Sequence, residues 1–85
     1  MQLAQEVVWC PVEGEMVLFH SETGEYYGLN EVAARVWRLI AEGASQEAMI
    51  ERLLAEYEVD SETAHAEVAR LIDEFAASNL VLPSP

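Results

Sequence analysis

Ten residues, Ser21-Glu22-Thr23-Gly24-Glu25-Tyr26-Tyr27-Gly28-Leu29-Asn30, place a turn, a short aromatic strand and a helix cap in direct succession. Gly24 supplies the positive φ that a tight turn needs. Tyr26-Tyr27 suits a pleated, half-buried surface. Asn30 offers its side-chain oxygen to the first free N–H groups of a following helix. A strand that hands over to a helix has no hairpin partner after it. The sheet is therefore expected to end there, with N–H and C=O groups unpaired along an edge. Such an edge is a liability unless another chain pairs with it.

Upstream of this stretch the chain turns and alternates. Val7-Val8-Trp9-Cys10 reads as a first strand, which Pro11 ends or bulges. Glu13-Gly14 is a turn, and Glu15-Met16-Val17-Leu18-Phe19-His20 is a second strand whose apolar middle marks it as central. Glu25 to Leu29 is the third. Short turns between them predict an antiparallel meander in chain order.

Downstream the period becomes helical. Asn30 caps a helix to about Ala41, with Val32, Val36, Leu39 and Ile40 on one stripe, and Gly43 stops it. Ser45 caps a second, with Met49, Ile50, Leu53, Leu54 and Tyr57 on a face. Asp60 or Ser61 caps a third that runs to about Ser78, its stripe being Ala64, Val68, Leu71, Ile72 and Phe75. Leu80-Val81-Leu82 is a short apolar end, and Pro83-Ser84-Pro85 reads as a fraying tail. The order predicts one α+β domain over residues 1–85, with its core at about 7–82. Its architecture is winged-helix-like, a three-stranded antiparallel sheet followed by three helices. Trp37, beside Ala33, belongs in the core. Trp9 has no assigned face, and register leaves open which of Tyr26 and Tyr27 points inward.

Charge limits the partners. Arg35, Arg38, Arg52 and Arg70 stand against sixteen Asp and Glu, a net charge of −12. Such a surface repels phosphate backbones and anionic membranes and suits a basic partner, although acidic excess also serves solubility alone. No apolar run reaches the length of a membrane span. The single cysteine, Cys10, cannot form an internal disulfide and points to a reducing cytosol, and it reads as a small buried hydrophobe.

Catalytic chemistry is not legible. His20, His65 and Cys10 match no zinc spacing, and both histidines read as surface or turn residues. No phosphate loop and no nucleophile elbow is present, and carboxylates are too many for any pair to stand out. The expectation is no catalytic residue, no metal and no cofactor. A third helix that read DNA would need basic or amide side chains, whereas this one exposes Glu62, Glu67, Arg70, Asp73 and Glu74. A DNA-binding winged helix and a structural subunit without a ligand are therefore the rival readings.

The pattern Thr23-Gly24-x-Tyr26-Tyr27-x-Leu29-Asn30-x-x-Ala33-x-x-Val36-Trp37, followed by Glu56-Tyr57-x-Val59-Asp60 and a long helix, resembles the PqqD-like peptide chaperones, or RiPP recognition elements. The resemblance runs from about Val7 to Leu82. It implies a small non-enzymatic domain that binds the leader segment of a ribosomally made precursor peptide and delivers it to a modifying enzyme or protease. A chain of this length is similar to the leader-binding proteins of lasso-peptide clusters, where the implied partner is a cysteine-protease-like leader peptidase, followed by a cyclase. In the family the leader adds as a strand to the third strand's edge and lies against the third helix. Carried onto this chain, that edge is Glu25, Tyr26, Tyr27, Gly28 and Leu29, and the helix wall is drawn from Val68, Ala69, Ile72, Asp73 and Ala76. Gly28 lets a guest backbone come close, and Asp73 can accept from a basic leader residue.

Overall fold

In the computed structural model, which describes residues 1–82, the chain opens with a two-residue strand, β1 (Gln2–Leu3). The strands β2 (Val7–Val12), β3 (Glu15–His20) and β4 (Tyr26–Leu29) follow, then the helices α1 (Glu31–Ala41), α2 (Gln46–Glu56) and α3 (Ser61–Ala77), and last β5 (Val81–Leu82). The expected meander is β2-β3-β4, antiparallel, with β3 central and β4 at an edge. The tail Pro83-Ser84-Pro85 lies outside the described residues.

Two expectations on the first strand are corrected. It does not end at Pro11 but runs through it, with Pro11 opposite Met16. The ladder begins with the Ser21 N–H donating to the Glu6 carbonyl at 2.9 Å. Alternation from that pair turns the Pro11 nitrogen away from β3, where a missing N–H costs no ladder bond. Cys10 is exposed rather than buried, because the strand's alternation carries it to the outward face with Val8 and Val12. His20 is likewise buried, not a surface residue; its Nδ1 accepts the Glu22 N–H at 3.3 Å and closes the turn into β4.

The inward face of the sheet, from Met16, Leu18 and Leu29, meets the helices in one apolar core. Trp37 is fully buried at its centre. Phe75 meets it edge-on with ring centroids 5.4 Å apart, and Trp9 does so at 6.4 Å from a partly exposed position. Burying Trp37 leaves its Nε1 without a hydrogen-bond acceptor among the described residues.

Each helix starts on the cap expected for it. Asn30 Oδ1 accepts from the Ala33 N–H at 2.9 Å, Ser45 Oγ from Ala48 at 3.1 Å, and Asp60 Oδ1 from Thr63 at 2.7 Å. The first helix ends where Gly43, at φ 83°, donates to the Ile40 carbonyl while Ala44 donates to Leu39. The third ends in the same way, with Asn79 in the left-handed role at φ 58° and Leu80 donating to Phe75 at 2.8 Å. Within the expected stripes Leu54 is exposed, and Tyr57 caps the end of α2, half-buried. Arg35 reaches Glu56 through two nitrogens, at 2.8 and 2.9 Å, and ties α1 to the end of α2.

The strands β1 and β5 were not expected. Gln2 pairs with Leu82 and Leu3 with Val81, and the Ala4 N–H donates to the Leu80 carbonyl at 2.9 Å. Two residues on each side are too short a run to show any period.

Two outcomes follow from the caps. Asn30→Ala should lower stability by about 1 kcal/mol, read from the urea midpoint at constant m-value. The Asp60 carboxyl is held below its ordinary range, mainly because it accepts the Thr63 backbone N–H. Its contribution is therefore present above the ordinary carboxylate range and is lost as pH falls through the depressed folded-state value. Asp60→Asn, which keeps the acceptor, should flatten that part of the acid limb in a pH series of urea melts.

Candidate functional site

The free edge of β4 can be read atom by atom. The His20 N–H donates to the Glu25 carbonyl at 3.0 Å, and the register runs Phe19↔Tyr26, Leu18↔Tyr27, Val17↔Gly28 and Met16↔Leu29. Antiparallel pairs alternate between bonded and non-bonded. Tyr27 and Leu29 therefore spend their backbone groups on β3, while Tyr26 and Gly28 direct theirs outward. Side chains alternate in step: Leu29 is buried and Tyr27 half-buried on the core side, and Tyr26 is 72 % exposed on the other face. A Cβ built on Gly28 meets nothing within 4 Å.

Beside this edge lies a cleft of about 450 Å³. Tyr26, Tyr27, Gly28 and Leu29 form one wall, Arg70, Leu71, Glu74, Phe75 and Ser78 of α3 and its cap form the other, and Asn30, Ala33 and Leu80 also line it. Leu71 and Phe75 give the cleft an apolar base continuous with the core. Its rim is polar. Arg70 is bound by Glu67 and Glu74, and Glu67 above all holds its guanidinium firmly in the charged form. The Tyr27 hydroxyl donates to Glu25 Oε2 at 3.2 Å, which steadies one side chain of the strand wall.

The strand residues named from sequence thus line the cleft, except Glu25, which precedes β4 and gives its carbonyl to His20. The helix residues do not come to it. Val68 is fully buried in the core, and Ile72 is half-buried against it. Ala69, Asp73 and Ala76 are exposed and do not line the cleft. The spacing explains the difference. Ala69, Ile72, Asp73 and Ala76 form one stripe of α3, whereas Arg70, Leu71, Glu74, Phe75 and Ser78 form another, about half a turn away at about 100° per residue. The usable signal was the pair Leu71 and Phe75, already on the core stripe, which fixes the side of α3 that faces β4.

Among the described residues no helix is long and apolar enough to cross a membrane, and no group of three or more His, Cys, Asp or Glu is placed to hold a metal. The titratable side chains that line the cleft are Tyr26, Tyr27, Arg70 and Glu74.

Comparison with known proteins adds three findings. The family model for coenzyme PQQ synthesis protein D (PqqD) matches residues 15–81. No curated protein matches the chain. Two solved structures are similar to it. One is TbiB1 in complex with the TbiA(beta) leader peptide, 32% identical over 100% of this chain and 99% of that one, with a TM-score of 0.93. The other is lasso peptide synthetase B1 complexed with the leader peptide, 29% identical over 96% of each chain, with a TM-score of 0.89.

Proposed function

The chain belongs to the PqqD family, and on that premise we propose that it binds the leader segment of a ribosomally made precursor peptide and is not itself an enzyme. The leader adds as a strand to β4 and seats its side chains in the cleft against α3. One observation carries this reading: Tyr26 and Gly28 present their backbone groups, unpaired with β3, at the mouth of an apolar-based cleft. The similar chains TbiB1 and lasso peptide synthetase B1 were each solved with a leader peptide, which supports the lasso type of pathway.

Magnitudes divide the labour between edge and cleft. Four outward backbone groups, N–H and C=O of two residues, offer bonds worth about 0.5–1.5 kcal/mol each. Ordering a disordered peptide costs about 2–5 kcal/mol. The edge alone thus roughly offsets the ordering. Affinity must come from apolar anchors in the cleft, about 1.5–3 kcal/mol apiece. Backbone bonds accept many sequences, and the cleft chooses among them.

The downstream partner is a cysteine-protease-like leader peptidase or another modifying enzyme, near which the protein raises the precursor's effective concentration. The exposed thiol of Cys10 and the absence of a second cysteine suit a reducing cytosol. Nucleic acid is disfavoured, since the one arginine of α3, Arg70, is bound between two glutamates.

Calorimetry with the cognate leader tests the edge. Gly28→Pro removes an outward N–H without touching the β3 ladder and should weaken binding by at least about tenfold, while Gly28→Ala, whose Cβ meets nothing within 4 Å in the chain itself, should fold as the wild type does and keep that N–H. Unchanged affinity in Gly28→Pro would refute strand addition. Two adjacent acids, about 100° apart on α3 and only one of them lining the cleft, test the wall. Glu74→Trp should obstruct the cleft and Asp73→Trp should not, and the reverse order would move the site to the far face of the helix.

A further inference from the structure

An antiparallel sheet with one face in water normally turns polar side chains outward. This one does not. The outward positions carry Val8, Cys10 and Val12 from β2, Val17 and Phe19 from β3, and Tyr26 from β4, assembled by the pairs Val8↔Phe19, Cys10↔Val17 and Phe19↔Tyr26. Val8 is 63 %, Val12 49 % and Val17 39 % exposed. The rings of Phe19 and Tyr26 meet at a tilt with centroids 4.7 Å apart, so the apolar surface continues to the free edge. Glu15 is the one charged residue at these strand positions. A contiguous exposed patch of this kind marks an interaction surface.

The charge around it selects the occupant. Residues 1–34 contain no Lys and no Arg, but they contain Glu6, Glu13, Glu15, Glu22, Glu25 and Glu31. Both hairpin ends of the sheet therefore bear only carboxylates. A second copy would set one acidic rim against another, which is unfavourable. The complementary surface is apolar at its centre and ringed by Lys and Arg.

We propose that this outward sheet face docks the enzyme that processes the leader, through an apolar patch with a basic rim on that enzyme. The inference rests on the leader-binding reading. Tyr26 belongs to both surfaces: its backbone lies at the free edge and its ring on the outward face. A leader strand added beside β4 extends the same face with its own outward side chains. The enzyme then touches carrier and leader together, and it binds the complex more tightly than the empty carrier.

The double variant Val8→Lys/Val17→Lys replaces the patch with charges like those of the proposed rim. With the purified cognate leader peptidase and leader, leader affinity should stay within about twofold, and affinity for the peptidase should fall at least about 30-fold. Leader cleavage at limiting peptidase should fall in parallel. The wild-type association should weaken as salt rises. The milder Val8→Thr/Val17→Thr keeps the β-branched shape and should show a smaller loss, which serves if the lysine variant does not fold. A folded variant that binds leader and peptidase as the wild type does overturns the docking face alone, whereas a wild-type chain that binds no leader overturns the reading beneath it. Sedimentation of the chain alone should give a monomer; a dimer dissolved by Val8→Lys/Val17→Lys would assign the face to a second copy instead.

Discussion

The hydrogen bond from the Ala33 N–H to Asn30 Oδ1 is where this architecture turns. It starts α1 one residue after β4 ends, so no chain is left over to form a further hairpin. The sheet stops at β4 because the backbone has become a helix. On one side β4 is held to β3 by Tyr27 and Leu29; on the other, Tyr26 and Gly28 have no ladder partner in the β2-β3-β4 sheet. The same handover aims α1 into the core through Val36, Trp37 and Ile40 and lets α3 lie across from the strand with Phe75 against Trp37. Cleft and open edge are two results of one local event.

That event was legible from residue types alone, because caps and turns act over three or four positions. Asn30, Ser45 and Asp60 name their helices, and Gly43 stops the first, by side-chain chemistry that needs no tertiary context. What residue types left open was which side of α3 meets β4 and which face of β2 carries Cys10. Ala69 and Asp73 belong to the helix wall that the resemblance implies, yet the angular position of Leu71 and Phe75 turns them away from β4. Cys10 looked buried because its neighbours are apolar, yet alternation puts it outside. Pro11 looked like a terminator, but on an outer strand its nitrogen faces away from the ladder. The pairing of β1 with β5 was invisible, since it joins residues about as far apart in sequence as this chain allows.

The sheet also shows how one strand of four residues serves several neighbours without conflict. Alternation by two assigns Tyr27 and Leu29 to the core and β3, and Tyr26 and Gly28 to the edge and the outward face. The acidic excess is organised in the same economical way. All four arginines lie on helices, three of them in ion pairs with glutamate, so the sheet side is uniformly negative and the helical side mixed. A partner approaching in solution meets a molecule with distinct electrostatic sides and is oriented before contact.

The β1–β5 pair has a geometric consequence for how such a domain can be built into something larger. With Gln2 opposite Leu82, the two ends of the described chain lie side by side. A polypeptide joined at Gln2 or at Leu82 would leave from neighbouring points, so swapping a fused domain from front to back would barely alter its reach. Cutting the backbone at a surface turn and linking the old ends with a few residues should likewise preserve the domain, as closely spaced termini generally permit.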